Sequence, residues 1–307
     1  MKVVFMGTPD FAVNTLAAII EAGHEVAAVV TQPDKARGRS GELKMPPVKE
    51  LAVEHNLKVY QPVKIKDSDM EEVLREINPD VIVVVAFGQI LPKSILELPK
   101  YGCVNVHASL LPKYRGAAPI QWAVIDGEEY SGVTTMQMDV GVDTGDMLMV
   151  EKYKLAEDET GGSLFERLAV LGAKLLVKTL DGLEKGTIIP VKQGEGATHA
   201  AKLDKQTGLI DFSKSAVEIE RLIRGLNPWP SAYTGLNGKT IKIWKASVDK
   251  DGKAGAGEIY SVDKNSFSVG TAEGGLVISE VQLEGKKRMS VHDFLLGTNI
   301  ETGTILG

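Results

Sequence analysis

Lys2-Val3-Val4-Phe5-Met6-Gly7-Thr8-Pro9-Asp10-Phe11-Ala12, answered by Glu25-Val26-Ala27-Ala28-Val29-Val30, is the stretch on which the fold turns. Val3 to Met6 is an apolar strand and Gly7 to Asp10 a turn. Phe11 to Glu21 repeats its apolar residues at helical spacing, with Asp10 at its start and Gly23 at its stop. Glu25 to Val30 then returns as a second strand. Strand, helix and strand in one short span make a βαβ unit. Val81 to Ala86, apolar throughout, reads as a third strand of a parallel sheet covered on both faces. The first domain is therefore expected to be α/β, doubly wound and Rossmann-like. Gly7-Thr8-Pro9 lacks the spaced glycines that let a pyrophosphate approach a helix N-terminus, which argues against a dinucleotide cofactor.

Further along, Val104 to His107 alternates as a short strand, so that Cys103, Asn105 and His107 share a face. Pro112 ends any regular element, and Lys113, Tyr114, Arg115 and Gly116 read as an irregular loop beyond the strand's carboxyl end. Open α/β sheets bind ligands at that edge. A second polar cluster follows Met138, where Gly141 and Gly145 frame Asp143 in a turn from which a carboxylate can reach a histidine across the sheet. Each residue alone has a bland reading: the histidine as a structural hydrogen-bond partner, the asparagine as a cap, the aspartate as a turn former. Together, an amide, an imidazole and a carboxylate at strand and loop ends can manage protons and a developing oxyanion during acyl transfer. The joint pattern points to an enzyme.

Composition narrows the class. A chain of 307 residues exceeds what one hydrophobic core usually serves. Cys103 is the only cysteine, which excludes an intrachain disulfide and makes a buried thiol the expectation. No apolar run approaches the roughly 18 residues that a membrane helix requires, so no membrane partner is expected and the cytoplasm is the default location. The net charge of -6 is unlike that of a general polyanion binder. From Gly208 onward the chain carries 12 basic and 12 acidic residues, so the whole deficit lies before it. A local basic strip can still meet nucleic-acid phosphates. Such a strip is Asp34 to Lys44, with Lys35, Arg37, Arg39 and Lys44 set among glycines; most runs of this kind are only solvated loops.

Asn105, His107, the run from Ser109 to Gln121, Gly141 to Asp146, the opening Gly7-Thr8-Pro9-Asp10-Phe11-Ala12 and the late Asn227-Pro228-Trp229-Pro230 together resemble the formyltransferases that use 10-formyltetrahydrofolate. Within them the match is to the branch acting on methionyl initiator tRNA, and it spreads over nearly the whole chain. The resemblance implies that Asn105 orients the formyl group and donates to the tetrahedral oxyanion, that His107 donates a second hydrogen bond, and that Asp143 holds His107 and helps remove the amine proton. It implies a folate site along Ser109, Leu110, Leu111 and Pro112 and against Phe87, Gly88, Gln89 and Ile90. It also makes the basic loop an arm for the tRNA acceptor end, with Arg39 as the key arginine and Arg37, Lys35 and Lys44 beside it. No covalent intermediate and no metal are expected, and the enzyme is expected to act as a monomer.

Ser163 to Leu180 reads as a helix begun by the break at Gly161-Gly162, and Glu184 to Asp204 lacks a period, as a linker would. Ala216 to Arg224 is a short helix. Five alternating runs follow, Ala232 to Leu236, Lys239 to Ala246, Glu258 to Ser261, Ser266 to Thr271 and Gly275 to Val281, which suit a small barrel of the oligonucleotide-binding type. The expected division is a formyltransferase catalytic domain over 1–186, a linker over 187–207 and an OB-like, tRNA-binding barrel over 208–307. Lys286, Lys287 and Arg288 form the densest positive cluster. The strongest rival is a sugar-amine formyltransferase, since some of these also carry a carboxyl-terminal barrel; a glycinamide ribonucleotide formyltransferase would be shorter. A non-catalytic RNA-binding protein on the same scaffold would leave the complete catalytic set without a purpose.

Overall fold

The apolar amino-terminal run forms β1 (Lys2–Gly7) in the computed structural model, which describes residues 1–37 and 42–307, the side chains of Arg37 and Glu42 excepted. In chain order there follow α1 (Asp10–Glu21), β2 (Glu25–Val30), β3 (Lys35–Arg37), β4 (Glu42–Lys44), α2 (Pro47–Glu54), β5 (Val59–Tyr60), α3 (Met70–Ile77) and β6 (Val81–Val85). Next come α4 (Lys93–Leu96), β7 (Cys103–His107), β8 (Arg115–Gly116), α5 (Pro119–Ile125), β9 (Tyr130–Gln137), β10 (Met147–Lys154), α6 (Gly161–Glu184) and β11 (His199–Ala200). Two units pack separately. Met1–Gly116, Tyr130–Lys154 and Phe165–Ala200 make the first, while Ala117–Glu129, Leu155–Leu164 and Ala201–Gly307 make the second.

The first unit is built on a seven-stranded sheet in the order β10-β9-β7-β6-β1-β2-β5. β1 pairs parallel with both β2 and β6, β2 with β5, and β6 with β7. The strand order reverses between β1 and β6, the switch point at whose carboxyl side a crevice opens. Val84 lies opposite Asn105 in the register, so β6 and β7 deliver their carboxyl ends to one edge. β6 is fully buried, as its unbroken valine and isoleucine run requires. Ala86, expected within that strand, instead leaves it with φ 47° and turns the chain into Phe87 and Gly88. The antiparallel pair β9 and β10 completes the sheet. β9 escapes pattern reading because Ser131, Thr134 and Thr135 are buried along it, so neither alternation nor an apolar run marks the strand.

The second unit carries α7 (Ala216–Gly225), β12 (Ala232–Leu236), β13 (Lys239–Asp249), β14 (Ile259–Val262), β15 (Phe267–Gly270), β16 (Gly275–Leu283), β17 (Met289–Ser290) and α8 (Val291–Leu295). Its antiparallel strands follow the path β12-β13-β16-β15-β14, with β17 added to β16. Ile241, Ile243, Phe267, Leu276 and Ile278 fill its core, with Ile219 and Ile223 of α7 among them. Ser215 and Glu218 close a reciprocal capping box at the start of α7.

Two sequence expectations change here. Gly161 and Gly162 do not break α6 but begin it. A Cβ on Gly161 would stand 2.2 Å from the carbonyl oxygen of Gly225, so the glycine serves close packing against the end of α7. Residues 187–200 are also no free tether. Val191 exchanges backbone hydrogen bonds with Met147, and β11 pairs parallel with β8. Such a segment carries no amphipathic period because its pairing is backbone to backbone, in pieces too short to show one.

Candidate active site

β7 ends on the site. His107, the last residue of the strand, is only 6% exposed, and its Nε2 lies 2.9 Å from the carbonyl oxygen of Tyr114. A carbonyl can only accept, so in the neutral ring Nε2 carries the hydrogen and Nδ1 keeps the lone pair. That Nδ1 faces the Asp143 carboxylate at 3.6 Å. Asn105, two residues earlier and on the same face, points its Nδ2 at the other carboxylate oxygen at 3.4 Å. The three residues singled out from the sequence are thus brought together at the carboxyl edge of the sheet. One amide hydrogen of Asn105 and the Nδ1 position of His107 converge beside an acceptor-only carboxylate.

The carboxylate is held from the other side by the backbone. Gly116 N–H donates to Asp143 Oδ2 at 2.8 Å. Tyr114 and Asp143 both occupy the left-handed region, with φ 60° and φ 54°, as does Ala86 at the end of β6. Side chains other than glycine adopt that conformation uncommonly, aspartate more readily than most, and such residues gather at functional sites. Hydrogen bonds fix Tyr114: its N–H donates to Thr198 Oγ1 at 2.8 Å and its carbonyl takes the His107 ring.

The loop after β7 is equally tied. Thr134 Oγ1 donates to the Ser109 carbonyl at 2.7 Å and accepts from Leu111 N–H at 3.2 Å, while Ser109 Oγ donates to the Lys113 carbonyl at 2.6 Å. Leu111 is buried, Leu110 and Pro112 half-buried, and the peptide between Leu111 and Pro112 is cis. On the β6 side, Phe87 packs its ring into the core, and its carbonyl accepts from Gln32 Nε2 at 3.1 Å and Thr8 Oγ1 at 3.4 Å. Gln89 turns inward, accepting from Ile65 N–H at 2.7 Å and donating to the Pro62 carbonyl at 3.1 Å, so its side chain braces a neighbouring loop. Gly88, at φ 80°, leaves open the space a Cβ would take, with only Gln32 Nε2 within reach at 3.8 Å, and Ile90 is exposed. A flat heterocycle can approach bare backbone there.

Beyond β2, the β3 and β4 ribbon sets the exposed Lys35 and Lys44 opposite each other. Arg39 lies outside the described residues, as does the Arg37 side chain. The ribbon's base is fastened by Asp34, whose carboxylate takes Lys49 Nζ at 2.7 Å and Gln61 Nε2 at 2.8 Å. Those hydrogen bonds, Lys49 first, hold the Asp34 carboxyl below its ordinary value. In the second unit the basic cluster at 286–288 is partly neutralised, because Arg288 makes a two-point pair with Glu280 and lies over the Trp244 ring.

Cys103 sits in the core behind the site, where burial pushes its thiol up to about 12. No group of three or more His, Cys, Asp or Glu among the described residues is arranged to hold a metal ion. Among them, too, no helix is long and apolar enough to cross a membrane. Two participants were missed by sequence reading, Thr198 and Gln193, the latter donating to the carbonyls of Asp143 and Gly145 and accepting from Arg115, which sequence reading places in the loop after β7. Thr198 and Gln193 stand in a segment without period, and no local pattern announces which backbone they will meet.

Residues 1–180 match the family described as formyl transferase, and residues 202–299 match its C-terminal domain. A methionyl-tRNA formyltransferase of Lachnospira eligens is 62% identical, over 100% of both chains. One from Agathobacter rectalis is 60% identical over 99% of each. Among solved structures, an N-formyltransferase from Helicobacter canadensis, in complex with folinic acid and dTDP-3-aminofucose, superposes with a TM-score of 0.70 at 20% identity. That likeness covers 94% of this chain and 100% of that one, and it speaks for the fold alone.

Proposed function

The chain belongs to the methionyl-tRNA formyltransferases, and from that membership we infer that it moves the formyl group of a formyl-tetrahydrofolate to the amino group of methionyl initiator tRNA. Full-length identity of 62% to a protein of that name carries the reading. A sugar-amine acceptor has only the fold in its favour, at 20% identity.

We take 10-formyltetrahydrofolate as the donor, with Asn105, His107 and Asp143 as the residues that act on it. The acceptor's neutral amine attacks the formyl carbon, and a carbon–nitrogen bond forms as the carbonyl oxygen takes up negative charge. The Asn105 Nδ2 hydrogen not turned to Asp143 stabilises that oxygen, a role that a fixed neutral donor fills without reorganisation. His107 can donate from Nδ1 only when protonated, since Nε2–H is spent on Tyr114. The Asp143 carboxylate, 3.6 Å from Nδ1, holds the ring in place and draws the proton from the attacking amine, directly or through a water. Collapse breaks the bond from the formyl carbon to the folate nitrogen, which leaves with the proton that Asp143 took from the amine, so that the carboxylate is restored. No covalent bond to the protein is required, since amine and formyl carbon react directly once held together.

The folate ring is assigned to the edge formed by Phe87, Gly88, Gln89 and Ile90 and the loop Ser109, Leu110, Leu111 and Pro112. Backbone groups do the binding there, because the Gln89 and Ser109 side chains are engaged elsewhere. Lys35 and Lys44, with Arg37 and Arg39, are assigned to the tRNA acceptor end, where cations meet phosphates. The functional division into a catalytic part over 1–186, a connecting segment over 187–207 and an OB-like, tRNA-binding part over 208–307 belongs to the same reading, as does action as a monomer in the cytoplasm.

Purified protein given 10-formyltetrahydrofolate together with both methionyl initiator tRNA and an amino-sugar nucleotide should form formyl-methionyl-tRNA and leave the sugar unmodified. Formylated sugar with unmodified tRNA would overturn the acceptor assignment.

A further inference from the structure

Gln193 lies in the stretch that sequence reading gives to a linker, yet it uses all of its hydrogen-bonding capacity at the site. Its Nε2 donates to the carbonyls of Asp143 and Gly145, each at 2.8 Å. Its Oε1 accepts from Arg115 Nε at 2.9 Å and Nη2 at 2.7 Å. The amide has one consistent orientation, because turning it over would set oxygen against two carbonyls and NH₂ against a guanidinium. The segment is fixed on both sides of Gln193, by the exchange between Val191 and Met147 and by the Arg115 N–H donating to the Thr198 carbonyl at 2.9 Å. A closed ring results: Gln193 to Arg115, along the chain to Gly116, through the Gly116 N–H to the Asp143 carboxylate, and from the Asp143 carbonyl back to Gln193.

Asp143 needs such a hold. Its turn is exposed around Val140 and Val142, and its left-handed φ of 54°, which aspartate tolerates, leaves the direction of the carboxylate to the bonds around it. Gly116 grips the carboxylate and Gln193 grips the carbonyl of the same residue. We propose that Gln193 is a positioning residue of the formyl-transfer site, which acts through Asp143 by keeping its carboxylate in register with His107 Nδ1 and Asn105 Nδ2. The proposal rests on the reading of Asp143 as a catalytic group. Misplacement of a reacting group by an ångström costs about 10²-fold in rate, and binding of either substrate need not change.

The test is a double-substitution cycle on the full chain. Gln193→Glu keeps the size and the acceptor for Arg115, but it replaces two donated hydrogen bonds with carboxylate oxygen facing two carbonyls. Alone, it should lower kcat by about 10²-fold while KM for 10-formyltetrahydrofolate and for methionyl-tRNA stays within about twofold. Placed on Asp143→Asn, which is itself expected to be slow, it should cost less than about threefold more, because residues that act through one another are not additive. Unchanged kcat for Gln193→Glu, a rise in KM at constant kcat, or full multiplication of the two losses would each overturn the proposal. If Gln193→Glu does not fold, Gln193→Asn is carried through the same cycle; failure of both to fold would make the residue structural and likewise overturn it. Should Asp143→Asn turn over at the wild-type rate, the catalytic reading itself has failed, an outcome distinct from every one above.

Discussion

Asn105 and His107 differ in what they can lose. On the proposed mechanism, replacing Asn105 by alanine removes a neutral donor from the oxyanion, and loss of one such donor costs about 10²–10³-fold in kcat. Asn105 is only half-buried and its contact to Asp143 is long, so the fold should survive, as a thermal unfolding curve superposable on the wild type would show. A normal kcat in Asn105→Ala would remove the amide from the mechanism. Cys103 gives a complementary prediction. Burial raises its thiol to about 12, which places the thiolate out of reach at mildly alkaline pH. A maleimide should therefore label the protein only after denaturation, whereas fast labelling of the native enzyme would contradict the packing behind β7. At this scale the sequence was most legible where a residue type has few uses, as with the Asn-x-His alternation and an aspartate framed by glycines. It was least legible at Gln193 and Thr198, whose roles depend on backbone carbonyls and amides that no side-chain pattern encodes.

Elements carry their own tests. The start of α6 packs against the end of α7 through Gly161, and a methyl group there would press on the Gly225 carbonyl. Gly161→Ala should destabilise the protein by about 1–3 kcal/mol, since overpacking outweighs the better helix propensity of alanine. Calorimetry that finds the variant more stable would show that Gly161 is not kept for close packing against Gly225. The β3 and β4 ribbon depends on Asp34, whose folded carboxyl titrates below its ordinary value. A depressed carboxyl contributes stability above its unfolded pKa of about 4 and loses it as pH falls through the folded value. The gap in Tm between the wild type and Asp34→Asn should therefore be open at neutral pH and close under acid; a gap that widens toward acid would give the pairing with Lys49 the wrong sign. Strand reading succeeded where burial was one-sided or complete, as in β6 and β12. It failed for β9, where buried hydroxyls broke both patterns.

The whole chain joins a doubly wound sheet to an antiparallel unit, and the two halves were legible to different degrees. The βαβ opening and the apolar third strand leave little choice of fold for the first. In the second, five short alternating runs foretold β12 to β16 but not β17, while α5 and Leu155–Leu164 join it from distant sequence, which only packing reveals. With a net charge of -6, the proposed binding of tRNA calls for local cations, and those of the ribbon are the proposed ones. Raising salt should accordingly raise KM for methionyl-tRNA steeply and leave KM for the folate nearly unchanged; parallel changes in both would count against the ribbon. The central claim, that the edge at β7 formylates methionyl-tRNA, is tested most directly by single-turnover formyl transfer from 10-formyltetrahydrofolate to methionyl initiator tRNA in wild type and His107→Ala. The account predicts rapid transfer by the wild type and a loss of about 10²–10⁴-fold in a variant that remains folded. Transfer by folded His107→Ala at the wild-type rate would contradict it.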